Sequence, residues 1–212
     1  MGRVFVNNDL SAPNVLEIPF DPAMAAELLP ELNKSDYYTV SPAWNSDIEW
    51  ISNDSFRSYQ VFFDCFKRLG LAKAFSPFVD CKTNLILYCG FFVRRSRCSD
   101  YNFHVDWLEG CNNNAFTLIA PLLQSESSPG LAYHDLHGSI KNYSYRADRA
   151  IVFGSGFIHS TDLGTAESPT VLLSLTFGTD KMEHWGEISK TAAIQSRLIR
   201  LPCGLFHNRL FD

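Results

Sequence analysis

Between residues 84 and 177 the chain falls into short β-branched and aromatic runs: 84–94, 101–107, 115–122, 131–133, 141–145, 149–153, 157–160 and 170–177. Clusters of Gly, Asn, Ser and Pro divide them, among them Gly110-Cys111-Asn112-Asn113-Asn114 and the stretches 125–130 and 164–169. Val, Ile, Phe and Tyr fit a pleated, half-buried surface, whereas Gly, Asn and Pro supply turn conformations. Seven or eight short strands at this spacing build a sandwich, a barrel or a jelly roll.

The flanks read differently. Asp21-Pro22 is the N-cap and first position of a helix over 23–32, which Pro30 ends or kinks. Residues 35–54 mix aromatics with Ser, Asn and Asp and predict irregular chain. A second cap at Asp54 or Ser55 opens a helix over 56–74, with apolar residues at 62, 65, 66, 69 and 71 and a late break at Gly70. A short strand is expected at residues 3–6, and helical chemistry returns over 180–199. The expectation is a single domain over 1–212: a helical N-terminal part (1–78), a β core (79–178), and a C-terminal helix and tail (179–212).

Two segments carry candidate chemistry. In Tyr101-Asn102-Phe103-His104-Val105-Asp106-Trp107, His104 and Asp106 stand two apart, and on a strand both would face one side. Downstream, the apolar run 151–158 ends in His159, where Gly154 and Gly156 allow a tight turn. Two imidazoles and one carboxylate make the facial triad that binds Fe(II) and leaves positions open opposite. The bland alternative is a hydrogen-bonded His–Asp pair at a strand edge beside a satisfied core histidine. His134-Asp135-Leu136-His137 is a rival cluster, but the flanking Gly130 and Gly138 predict a surface turn, with His134 a candidate substrate contact. Gly154-Ser155-Gly156 lacks the spacing of a nucleophile elbow.

A net charge of −5 without a basic block argues against nucleic acid as a partner, and no apolar run approaches membrane-spanning length. The start lacks the apolar segment of a secretory signal, and the six Cys form no paired framework. A cytoplasmic protein with free thiols is expected.

Taken together, Phe103-His104-Val105-Asp106-Trp107, the Gly130-Leu131 strand entry and Ile151-Val152-Phe153 followed by His159-Ser160 resemble the Fe(II)- and 2-oxoglutarate-dependent dioxygenases. The likeness is strongest to their prolyl-hydroxylase and phytanoyl-hydroxylase-like members and covers roughly residues 84–178. It implies a double-stranded β-helix (a cupin-like jelly roll) with N-terminal helices packed on one sheet. It implies His104, Asp106 and His159 as iron ligands, with 2-oxoglutarate and O2 as co-substrates. Hydroxylation of an unactivated C–H bond in a small molecule, such as an amino acid or natural-product intermediate, is the implied reaction. Desaturation and ring closure use the same site.

The resemblance also implies Tyr88 near the co-substrate, and Asn102, Trp107 and Thr117 along the same cavity. One departure stands out. The family usually carries a base on the strand after the distal His, whereas residues 168–177 contain none. Thr170 and Ser174 offer hydroxyls there, and the cation must come from elsewhere. Alternation puts Tyr88, Phe92 and Arg94 on one face and Arg95 and Arg97 on the other. Arg94 is therefore the expected donor if Tyr88 faces the site, with Arg97 second. Two alternatives remain: an iron oxygenase on the same barrel that does not use 2-oxoglutarate, and a non-catalytic jelly-roll binding module.

Overall fold

The computed structural model describes residues 10–41, 47–125 and 127–208, so the strand expected at residues 3–6 lies outside it. In chain order the elements are β1 (Val15–Pro19), α1 (Pro22–Leu28), β2 (Tyr37–Val40), β3 (Ile48–Asn53), α2 (Phe56–Arg68), α3 (Leu71–Phe75) and β4 (Ile86–Cys98). There follow β5 (Ala115–Leu123), β6 (Leu131–His134), β7 (Ile140–Tyr143), β8 (Arg149–Phe153), β9 (His159–Thr161), β10 (Gly164–Gly178), α4 (Trp185–Gln195), β11 (Leu198–Arg200) and β12 (Phe206–Asn208).

The major sheet runs β1-β8-β5-β10-β4-β3-β2, with every neighbour antiparallel. The minor sheet is β7-β6-β9, extended by an isolated bridge between His104 and His159. Together they form the jelly roll that the strand spacing predicts.

Alternation explains the layers. On β5 and β10, Phe116, Leu118, Ala120, Leu173, Leu175 and Phe177 point outward into a cluster with the N-terminal helices. Thr117, Ile119, Leu172 and Ser174 point inward to a cavity between the sheets. Both faces of the major sheet are covered, which is why its strands read as nearly continuous apolar runs.

The helices form for the reasons read from the sequence. The Asp21 side chain accepts from the Ala23 amide at 2.9 Å, with Pro22 as the first helical residue. Ser55 and Ser58 form a reciprocal capping box on α2. Gly70, at φ 65°, takes the left-handed conformation that separates α2 from α3. Phe62 and Phe66 of α2 then bury against Phe92 and Phe177 at ring separations of 4.9 and 5.5 Å.

Two expectations change. Residues 35–54 are not simply irregular: they carry β2 and β3, which extend the major sheet beyond β4. Residues 101–107 do not form a strand; only His104 makes a bridge, and Asp106-Trp107 bends away from the sheet. Among the described residues no helix is long and apolar enough to cross a membrane.

Candidate metal centre and its cavity

His104 and His159 are fastened to each other through the backbone. Each amide donates to the other's carbonyl at 2.9 Å, so both imidazoles leave the minor sheet side by side, with ring centroids 4.5 Å apart. Each ring then meets a carbonyl two residues upstream: His104 Nδ1 lies 2.8 Å from the Asn102 oxygen and His159 Nδ1 3.1 Å from the Phe157 oxygen. A carbonyl can only accept, so Nδ1 bears the proton in each ring and Nε2 presents a lone pair.

The two Nε2 atoms lie 3.6 and 3.8 Å from one oxygen, Oδ1 of Asp106. One ligand atom from each of the three residues falls within 4.8 Å of the others. His159 is buried, and burial holds its pKa below the ordinary histidine value, which favours the neutral form a metal requires.

With no strand to hold it, Asp106 is held by two hydrogen bonds, one of them braced by a third. Thr117 on β5 donates its hydroxyl to Oδ2 at 2.7 Å, and Trp107 Nε1 donates to that same hydroxyl oxygen at 3.1 Å. Thr191 on α4 donates to the Asp106 carbonyl. Trp107 is fully buried beside Ile188 and Ala192, so the C-terminal helix braces the carboxylate from behind. Thr117 and Trp107, expected as cofactor and substrate contacts, thus orient the candidate ligand.

The cavity in front of the triad has a volume of about 340 Å³. Ile48, Trp50, Phe91 and Val93 give it an apolar wall, and Asn102 and Ser174 of the expected contacts also line it. The buried Thr170 hydroxyl, directly opposite Arg95 in the β4–β10 register, has no hydrogen-bond partner among the described residues.

The basic residue in this cavity is Arg95, which is only 6% exposed. It donates to Thr161 Oγ1, to the Gly130 carbonyl at 3.1 Å and to the Pro129 carbonyl at 3.4 Å, while its Nε has no partner among the described residues. Among the described residues the buried Ser174 hydroxyl, which also lines the cavity, has no partner, and the buried Tyr145 hydroxyl lies near Arg95. Burial raises the Tyr145 pKa, and the Arg95 charge opposes that rise.

The basic residues expected there, Arg94 and Arg97, stand elsewhere. Arg94 faces outward and pairs with Glu49, while Arg97 is exposed near the end of β4. Tyr88 is fully buried away from the cavity, giving its hydroxyl to the Thr179 carbonyl at 2.7 Å and packing against Trp185. The reason is a β-bulge. Leu87 pairs with Phe177 but Cys89 with Thr176, so Tyr88 is an extra residue and the alternation changes phase there. His134 also misses the cavity: its ring meets Phe103 edge-on at 4.6 Å, just before the turn at Gly138.

No protein-family model matches this chain, and no curated protein matches it. Solved structures match it in fold. The crystal structure of HygX from Streptomyces hygroscopicus with nickel and 2-oxoglutarate bound is 16% identical, covers 78% of this chain and 83% of its own, and superposes with a TM-score of 0.58. A 2OG-Fe(II) oxygenase family oxidoreductase from Burkholderia pseudomallei is 11% identical over 78% of this chain and 85% of its own, with a TM-score of 0.59. A prolyl-4-hydroxylase from Pseudomonas putida is 16% identical over 81% of this chain and 95% of its own, with a TM-score of 0.56.

Proposed function

We propose that this chain is a non-haem Fe(II) oxygenase that uses 2-oxoglutarate and O2 to oxidise an unactivated C–H bond of a small molecule. The observation that carries the reading is the convergence of His104 Nε2, His159 Nε2 and Asp106 Oδ1, with both tautomers set by backbone carbonyls. Neutral imidazoles and one carboxylate suit Fe(II), and a three-ligand set leaves room for co-substrates. When bound, the iron would supply the one-electron and O2 chemistry that no side chain can.

The chain's own part is to hold and to exclude. His104, Asp106 and His159 would hold the metal, and Thr117 fixes the carboxylate that completes the set. The apolar wall from β3 and β4 keeps water from the reacting bond and fits an uncharged carbon skeleton. A cavity of this volume suits a small molecule, or a small reacting portion of one, and a HygX structure with hygromycin B bound shows the fold serving such a ligand. The buried guanidinium supports a carboxylate co-substrate over the reading in which no keto acid is used. Unpaired cysteines among the described residues are in keeping with a reducing, cytoplasmic setting.

Anaerobic visible spectroscopy of the metal-free protein with Fe(II), before and after 2-oxoglutarate, tests the reading. A weak charge-transfer band on keto-acid addition, absent in His104→Ala and His159→Ala, is expected. Iron binding without the band points to an oxygenase that does not use 2-oxoglutarate. Iron binding that survives both substitutions overturns the triad. No binding at all leaves a jelly-roll binding module.

A further inference from the structure

We infer that Gln195, at the end of α4, selects the substrate: its side-chain amide donates a hydrogen bond to a neutral oxygen acceptor, such as a carbonyl, on a mainly apolar molecule. The inference rests on the oxygenase reading above and deepens it by naming the substrate class.

The first argument is orientation. Gln195 lines the cavity, and its Oε1 accepts from the Thr176 hydroxyl at 2.7 Å. Thr176 is fully buried. The other polar group beside that hydroxyl is the thiol of Cys89, which burial keeps protonated by pushing its pKa up to about 12. Sulfur is a weak acceptor, so turning the amide over would exchange a good acceptor for a poor one. Nε2 forms no hydrogen bond among the described residues, and the amide therefore offers the cavity its unspent N–H donors.

The second is place. Thr176 pairs directly across from Thr117 in the β5–β10 register, and Thr117 is the residue that holds the Asp106 carboxylate. Residues paired in this way share a face of the sheet, on strands about 4.8 Å apart. One turn before Gln195 and on the same side of α4, Thr191 donates to the Asp106 carbonyl. The amide thus stands beside the candidate metal centre, within reach of a molecule whose C–H bond faces it.

The third is surroundings. Ser196, next in the chain, donates to the Asn53 carbonyl at 2.8 Å and pins the end of the helix. A donor held before binding loses little freedom when a ligand arrives. Thr191 and Ile194, its neighbours on the cavity wall, carry no charge, and Ile194 is 65% exposed. A neutral donor beside an open aliphatic contact fits a neutral acceptor set in an apolar skeleton.

The test uses acetophenone and α-methylstyrene, two molecules of one shape in which a methylene group replaces the carbonyl oxygen. Both are titrated into isotope-labelled full-length protein with Zn(II) and 2-oxoglutarate, a redox-silent mixture, and followed by NMR. The side-chain amide signal of Gln195 is identified by its loss in Gln195→Leu. In wild type, acetophenone is expected to move that signal downfield, and α-methylstyrene to leave it in place. Gln195→Leu removes the donor, and Gln195→Glu removes it while keeping an oxygen for Thr176. Each should lower the ratio of acetophenone to α-methylstyrene affinity about 3- to 10-fold. Gln195→Glu carries the test if Gln195→Leu does not fold. Absence of saturable acetophenone binding in wild type, or an unchanged ratio in either folded variant, overturns the assignment. Fe(II) and 2-oxoglutarate giving no charge-transfer band would instead overturn the keto-acid reading. The acetophenone ratio does not depend on that band, so the two failures are distinguishable.

Discussion

The hydroxyl of Thr117 stands between Asp106 and Trp107, donating to the carboxylate at 2.7 Å while accepting from the indole N–H at 3.1 Å. One side chain on β5 therefore aims a candidate metal ligand that no regular element holds. Thr117→Val keeps the shape, removes the donor and leaves a buried indole N–H unpaired. It should cost about 1–3 kcal/mol in stability and about 10- to 100-fold in Fe(II) affinity. Thr117→Ser should recover most of both, as read by thermal melting and metal titration.

Arg94 supplies the contrast to its neighbour. Its side chain faces outward and pairs with Glu49, a partly exposed ion pair. Such pairs contribute about 0–1 kcal/mol. Arg94→Ala should shift stability by no more than that and leave the titration with 2-oxoglutarate unchanged, which a parallel titration of Arg94→Ala and Arg95→Gln would read directly.

At Gly90, α2 packs directly on the β4 backbone. A Cβ added there would come within 2.3 Å of the Phe62 ring, far inside contact distance. Gly90→Ala should force that ring from its packing and cost about 1–3 kcal/mol. Phe62→Ala, which leaves a hole instead, should cost about 3–5 kcal/mol. Denaturant unfolding of both, with the metal titration as a control on the cavity side, checks the pair.

Asp180 ties the end of β10 to the approach of β4. Its carboxylate accepts from the amides of Lys82 at 2.6 Å, Thr83 at 2.7 Å and Asn84 at 3.2 Å. Partial burial acts to raise its pKa, but the three amides prevail and hold it below the ordinary 3.8. Because the folded value lies below the unfolded one, the native state holds on to its charge where the unfolded chain takes up a proton. Its contribution is present above about pH 4 and is lost as pH falls through the folded value. Asp180→Asn should lower stability at pH 7 and flatten the acid limb of a stability-against-pH profile.

Much of this was legible in the sequence because it rests on periodicity and on scarce residue types. The strand runs of the core are apolar on both faces, and the helix starts carry their caps at Asp21 and Ser55. His104, Asp106 and His159 stand out because an imidazole or carboxylate within an aromatic run asks for a partner. What stayed hidden depends on pairing across strands. β3 reads as irregular because Glu49, Ser52 and Asn53 interrupt it, and it is a strand because β4 lies beside it. Counting alternation from Tyr88 selects Arg94. The extra residue at Tyr88 reverses the count, and Arg95 turns inward. A bulge is a relation between two strands, and no residue on β4 alone announces it.

The paired amide–carbonyl bonds between His104 and His159 would make the two imidazoles act toward an ion as one ligand. Their separation is fixed when the backbone pairs, as the arms of a synthetic chelator are fixed by its linker, so an ion meeting one donor meets the other with little further loss of freedom. Losing the register between residue 104 and β9 would then do more than misplace a side chain. It would turn a bidentate clamp into two separate, weak monodentate donors, even with every candidate ligand still in the sequence.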